Sequence, residues 1–503
     1  MVTSSRPLTD LAEAEDLDLV DFDGPHDPRR PVNWAPARKW TIVTLLSIMS
    51  FITPLASSMF APGVPECLAE FGSTSATLMS FVVSIYLLGY AAGPLVIAPL
   101  SELYGRSIMY HFTNVLFVIF TIACAVSTNL GMLIGFRFLE GIAGSAVLTI
   151  GGGTVADLFI PQERGKVLAA WTMGPLLGPV LGPVMGSFLS AAKGWRWVFW
   201  LLTIVSGAMA CIFLLLLRET SSVVILRNIT KRRRKETGNP ALRSRLDADL
   251  SARLSFQRAI VRPLKLLLLS PIVALMATLA AIVYGYLYLL FTTFTPVFED
   301  TYNFSSNIVG LTYLGLGVGM MIGLFGFGAL SDRIIKSKAA KHDGVMKPEY
   351  RLPPMIVGGI AIPVGLFIYG WTADKHVFWF VPILGTAFVG FGFIAYFVSS
   401  LPLPPRQTKK EKKLIESIQM PIQAYLVDAF TIHAASALGA GAVWRSIVGA
   451  LLPLAGLPMY NKLGLGWGNS LLGFLAVAML PIPFVLLKYG EHIRTSLRWQ
   501  VRL

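Results

Sequence analysis

Two short stretches decide how this chain is read: Ala98-Pro-Leu-Ser-Glu-Leu-Tyr-Gly-Arg106 and Gly328-Ala-Leu-Ser-Asp-Arg333. Each ends an apolar run of membrane-spanning length, 77–98 in the first case and 308–330 in the second. Gly105 permits a very tight turn between helices. Glu102 lies one turn earlier, where its carboxylate can pair with basic groups on the membrane face. Gly328, Asp332 and Arg333 repeat the element 230 residues later. The same element after the second span of each half marks an internal duplication, as in transporters built from parallel repeats.

The rest of the chain fits that frame. Spanning runs lie at 41–60, 77–98, 108–127, 131–156, 168–190 and 197–217, and again at 266–297, 308–330, 353–372, 377–397, 420–457 and 467–488. The stretch 420–457 is too long for one crossing and must turn, near Thr431-Ile432-His433. Its start then completes span 10 and its remainder forms span 11. The fold expected is an all-α membrane protein: twelve transmembrane helices in two pseudo-symmetric six-helix bundles. Residues 1–40 form an N-terminal segment, 41–217 and 266–488 the bundles, 218–265 a linker and 489–503 a tail. Composition agrees, with 54% hydrophobic and 14% charged residues and a mean hydropathy of +0.64. A water-soluble globule carries ~25% charged residues.

The net charge of +14 is an orientation code rather than a nucleic-acid surface. With both termini in the cytoplasm, 30 of the 42 Lys and Arg residues fall inside and 4 outside, as basic loops should. The run Lys231–Lys235 reads as a solvated linker face. The first apolar run lacks a basic leader, so it is expected to remain as a span. Cys67, Cys124 and Cys211 form no framework and read as small apolar side chains. The sequons at Asn228 and Asn303 are expected to go unused.

Three constellations carry chemistry. Arg137, Glu140, Gly141 and Gly144 share one face of span 4 at i, i+3, i+4 and i+7. An Arg at that depth costs roughly 2.5–3.5 kcal/mol on insertion and needs a partner; Glu140 is the nearest. The pair is either a register-fixing ion pair or a proton-coupling site. In span 5, Gly174, Gly178, Gly182 and Gly186 recur every four residues, with Pro175, Pro179 and Pro183 beside three of them. Such a stripe makes a packing groove, and the prolines free carbonyls. It is either a kinked, tightly packed helix or a pivot between halves. Tyr86 and Tyr90 in span 2 and Tyr284 and Tyr288 in span 7 are candidates for an aromatic substrate cavity. Asp428 is a second acidic candidate for coupling, or an end-of-helix charge.

These residues resemble the major facilitator superfamily, and most closely its twelve-span drug:proton antiporters of filamentous fungi. The likeness runs from Asn33-Trp34 to Arg494 and includes Ser57-Ser-Met-Phe-Ala-Pro, Gly194-Trp-Arg-Trp-Val-Phe-Trp200, Pro421-Ile-Gln-Ala-Tyr-Leu-Val-Asp-Ala-Phe430 and Leu465-Gly-Trp-Gly-Asn-Ser470. The resemblance implies that Glu102, Gly105 and Arg106 help lock the halves, that Arg137 serves proton coupling, and that Gly174 through Gly186 is the antiporter signature. Leu103 and Ser107 stand where basic residues are usual, which implies a weaker latch in the N-terminal half. Asp332-Arg333 keeps the fuller form.

Residues 398–419 do not fit a membrane. They carry five Lys and Arg inside the expected span 10. They read as a translated intron: 22 codons keep the frame, a Val codon starts with GT, and a Gln codon can end in AG. A real loop is the alternative.

The function expected is proton-coupled export of a small hydrophobic drug or secondary metabolite by a plasma-membrane monomer surrounded by lipid. No cofactor is expected beyond the proton gradient. Uptake of a nutrient or polyamine by symport or facilitation is one alternative. A non-transporting or defective product, because of 398–419, is another. No nucleophile elbow, phosphate loop or metal spacing suggests an enzyme.

Overall fold

The computed structural model describes residues 18–246, 252–340, 349, 352–397 and 434–495. The first bundle holds span 1 (Pro36–Met59), span 2 (Ala76–Tyr104), span 3 (Arg106–Ala125) and span 4, which is Leu130–Gly144 followed by Ala146–Leu158. Span 5 (Pro161–Lys193) and span 6 (Arg196–Leu216) complete it. The second bundle holds span 7 (Pro271–Tyr302), span 8 (Tyr313–Ala340), span 9 (Pro353–Asp374) and span 10 (Phe380–Phe397).

A continuous helical stretch, Ser436–Ile493, is 58 residues long. At 1.5 Å per residue that would be roughly 87 Å, nearly three bilayer cores. It turns at Gly464 (φ 74°, ψ 169°), a backbone conformation that suits a residue without Cβ. The turn separates span 11 (434–463) from span 12 (465–479), which continues through Pro481–Thr495. The expected turn near Thr431, Asp428 and the segment 398–419 all lie outside the described residues.

Each bundle has its own core. One gathers Leu46, Met49, Val83, Tyr86, Phe117 and Phe199; the other gathers Met276, Leu289, Phe294, Tyr313, Leu366 and Tyr369. Leu87 of span 2 and Val180 of span 5 pack into the second core and so join the halves. Large apolar side chains also point outward, among them Ile108, Phe112, Leu215, Phe325 and Phe474. A soluble protein hides such a belt, whereas hydrocarbon is its natural neighbour.

The linker is more ordered than a solvated basic run. Ser222–Thr237 is a helix, N-capped by Ser221. It carries Lys231, Arg232, Arg234 and Lys235 on its exposed face. Its apolar side, at Ile225, Leu226 and Ile229, packs on Val20 and Phe22 of the N-terminal segment. That segment adds β1 (Leu19–Val20), paired in parallel with β2 (Arg243–Ser244) of the linker. Arg233–Asp23 (3.3 Å) and Arg245–Asp21 (2.9 Å) ion pairs reinforce the clasp. Asp27 anchors the following turn by accepting from the backbone N–H of Asp23 and Arg29. Side-chain hydrogen bonds from Arg29 hold its carboxyl well below the usual range. A second linker helix, Ala252–Leu269, spans the boundary expected at 265.

Candidate functional site

Span 1 breaks at its C-terminal end. Pro54 interrupts its ladder, Met59 ends it, and a short 3-10 turn at Ala61–Gly63 leads into Val64–Glu70. A helix end leaves its last carbonyls without partners, which is expensive in hydrocarbon. Arg137 of span 4 supplies them. Its Nη1 donates to the Ala56 carbonyl (2.9 Å) and its Nη2 to the Ser57 carbonyl (3.0 Å). Nη1 also donates to Glu140 Oε2 at 3.1 Å. Both side chains are fully buried. Glu140 further accepts from Thr121 Oγ1 (3.2 Å) and contacts Cys124 Sγ (3.8 Å). The structure therefore pairs the two residues that the helical spacing placed together, and adds span 1 as a third party.

Tyr86 is part of this enclosure rather than an open wall. It is completely buried, its ring lies 4.8 Å from the Arg137 guanidinium carbon, and its hydroxyl donates to the Thr53 carbonyl. Tyr90 lies beside it, tilted, with ring centroids 5.1 Å apart. Gly141 and Gly144 face Tyr86, where any side chain would collide with span 2.

The route from this pair to the other half is short. Ser57, whose carbonyl Arg137 holds, shares a 2.8 Å hydrogen bond through its hydroxyl with Tyr288 of span 7. The Tyr288 and Tyr284 rings are 5.0 Å apart. Tyr284 in turn faces Phe393, Phe397 and Arg445. Of the four candidate tyrosines, Tyr284 alone is half-buried; the others are enclosed.

The span 5 glycines all face span 1. A Cβ at Gly178 would stand 2.7 Å from the Phe51 carbonyl oxygen, and at Gly182 2.9 Å from that of Leu55. Gly174 meets Ser47 and Ser50, and Gly186 meets Met59. The stripe thus packs within one half and is not itself the contact between halves. That contact falls on the opposite face of span 5: Val180 lies against Gly317, and Ser187 donates to the Asn307 carbonyl at 3.3 Å. Pro183 lacks the N–H that would bond the Pro179 carbonyl. Ser58 Oγ donates to it instead, at 2.9 Å. The prolines therefore bind span 5 to span 1 as well as bending it, and Pro175 belongs to the same helix.

At the turn between spans 2 and 3, Gly105 has φ 108°. Arg106 Nη1 donates to Ser101 Oγ (2.6 Å) and its Nε approaches Asp157 of span 4 at 3.5 Å. Glu102 is exposed and makes no hydrogen bond or ion pair among the described residues. The anion that organises the turn is Glu219, which the sequence reading missed. Its Oε1 accepts from Arg106 N (3.0 Å) and Ser221 N (2.8 Å), and its Oε2 from Ser107 N (3.1 Å). It caps the N-terminus of span 3. Arg227 of the linker helix adds a bond to the Leu103 carbonyl at 2.9 Å. The turn that was expected to be weakened by Leu103 and Ser107 is thus held from the linker side. A carboxylate directly after span 6, in Arg218-Glu219-Thr220, was the available signal. Gly328, Asp332 and Arg333 fall in span 8, but their side-chain environment lies outside the described residues.

Glu219→Ala removes that cap while leaving the membrane spans intact. A lost cap costs about 0.5–2 kcal/mol, so the purified protein is expected to unfold several degrees lower. An unchanged melting temperature would show that the cap contributes nothing.

Known proteins resemble this chain over nearly all its length. The Major Facilitator Superfamily model matches residues 46–453. Efflux pump radE of Floropilus chiversii is 52% identical over 99% of this chain and 89% of its own. MFS-type transporter tndD of Aspergillus flavipes is 54% identical over 98% of this chain and 89% of its own. Among solved structures, the partially occluded, inward-open xylose transporter XylE of E. coli superposes with a TM-score of 0.63 at 15% identity, over 90% of this chain and 98% of that one. A bacterial homologue of the human lysosomal transporter Spinster gives 0.60 at 14%, over 93% and 100%. At those identities the structures speak for the fold alone. Two six-helix bundles, a buried Arg–Glu pair in span 4 and the family match lead to one conclusion: the chain is a multi-pass membrane transporter, not an enzyme, and belongs to the major facilitator superfamily.

Proposed function

We propose that the chain exports a small, largely apolar molecule, a drug or secondary metabolite, in exchange for protons. The observation that carries this reading is the connection Glu140–Arg137–Ser57–Tyr288, which links a buried ionisable pair to the contact between halves. The printed name of the Floropilus relative, an efflux pump, supports the direction. A proton taken up by Glu140 neutralises the partner of Arg137. The guanidinium is then left with only neutral partners, the carbonyls of spans 1 and 2 and the surrounding rings, and a buried net charge destabilises that arrangement. Relief comes from moving the span 1 break, which the Ser57–Tyr288 bond ties to span 7. Asp428 is the second acidic residue proposed to take part. Both termini lie in the cytoplasm of a plasma-membrane monomer embedded in lipid, and alternating access follows from rocking of the halves.

Everted vesicles with an acidic lumen test the direction. A lipophilic dye or metabolite is expected to accumulate inside, and to leak out when a protonophore is added. Accumulation instead in right-side-out vesicles bathed in acid would establish uptake by symport and sink the export reading.

The segment 398–419 favours a second reading, a non-transporting product. We propose that it is a retained intron whose removal leaves 481 residues. Uniform transcript coverage across its codons would overturn that.

A further inference from the structure

The two intramembrane arginines of the described chain differ in one respect. Arg137 is saturated by acceptors, as described above. Arg445 of span 11 has none among the described residues. It makes no hydrogen bond or ion pair among the described residues, and its Nε is buried without a partner. What it touches is aromatic: its guanidinium carbon is 5.0 Å from the Tyr284 ring centroid and 5.6 Å from that of Phe397. It stands 11 residues into span 11, roughly 16 Å along the helix, well inside the bilayer. Neighbouring Trp444 is fixed by a bond to Thr278 Oγ1 of span 7 (3.3 Å).

A cation at that depth with no counter-charge among the described residues is costly. Ring faces repay part of it, about 0.5–2 kcal/mol for a cation–π contact. They leave the five N–H donors of the guanidinium unserved. Those donors form a rigid fork suited to a carboxylate or a similarly delocalised oxyanion. The surroundings specify the rest of the ligand. Arg445 and Tyr284 are half-buried, and Leu87 of span 2 meets Tyr284 beside Gly449, so the place lies where the halves join. Phe393 and Phe397 stack at 4.5 Å and offer a flat apolar wall.

We propose that Arg445 is the counter-charge of the transported molecule, and that the preferred substrates are flat, apolar acids bearing one carboxylate or equivalent oxyanion. The inference rests on the export reading for its setting, but the site itself is a binding property. Tyr284 and Phe397 hold the guanidinium in place with its donors free, and the apolar body of the acid lies on the phenylalanine wall.

Binding to the purified full chain in lipid nanodiscs tests it without any gradient. Three matched probe pairs serve: 2-naphthoate and 2-naphthamide, biphenyl-4-carboxylate and its amide, and indole-3-carboxylate and its amide. The acid is expected to bind about tenfold or more tighter than its amide in at least one pair, since a hydrogen bond to a charged group is worth that much. Arg445→Gln is expected to abolish the preference, with the acid losing more affinity than its amide. If Arg445→Gln does not fold, Arg445→Lys replaces it; losing the fork, it is expected to shrink the preference at least threefold. Equal binding of acid and amide in all three pairs, or a preference undiminished in the variant that folds, overturns the proposal. Acid preference without pH-driven transport would instead count against export and leave the site standing.

Discussion

Arg137→Ala is expected to abolish proton-driven transport and to destabilise the first bundle. Removing the guanidinium leaves Glu140 buried with only Thr121 and Cys124 as neighbours. Breaking a buried pair from one side costs roughly 3–5 kcal/mol. The Ala56 and Ser57 carbonyls also lose their donor, and the span 1 break with them. Glu140→Gln separates coupling from folding. It keeps the volume and an acceptor for Arg137 but cannot exchange a proton. Substrate–substrate exchange across the membrane is expected to survive in Glu140→Gln while accumulation against a gradient falls to background. Both activities can be read in the same proteoliposomes. Full pH-driven accumulation in either variant would remove the pair from the coupling mechanism.

The second large effect is expected at Gly178→Leu. Its Cβ would stand 2.7 Å from the Phe51 oxygen and 2.9 Å from the Leu55 nitrogen. Both atoms are backbone and cannot rotate away, so span 5 must leave span 1. Overpacking alone costs about 1–3 kcal/mol. Separation also breaks the bond from Ser58 to the Pro179 carbonyl, and an orphaned buried acceptor adds about 1–3 kcal/mol. Little monodisperse protein and no transport are expected. Gly207→Leu in span 6 is the control, because nothing lies within 4 Å of a Cβ there. A Gly178→Leu protein that elutes and transports like the control would refute the close contact.

Much of this architecture was legible in the chain. The repeated Gly–acid element and the apolar runs convey a duplicated bundle, since span length and helical period are local properties. The Arg137–Glu140 pair was legible for the same reason, three residues apart on one helix. Partners across the fold were not. The span 5 stripe announces a groove but not that span 1 fills it. Tyr86 has the look of a cavity residue until its hydroxyl is found on the Thr53 carbonyl. Glu219 caps a helix that begins 113 residues earlier in the chain. The run Lys231–Lys235 hides the apolar side of its helix, because Val20 and Phe22 come from a segment about 200 residues away. Whether Arg445 is satisfied depends on side chains from spans 2, 7, 10 and 11 at once.

The clasp between β1 and β2 also assigns the linker an owner. With Glu219 on the span 3 terminus, Arg227 on the Leu103 carbonyl and β2 paired to the N-terminal segment, everything from Arg218 to Arg245 travels as a passenger of the first bundle. Mechanically it is cargo rather than a joint. In the proposed rocking of the halves, whatever docks on the linker helix is carried by one bundle only.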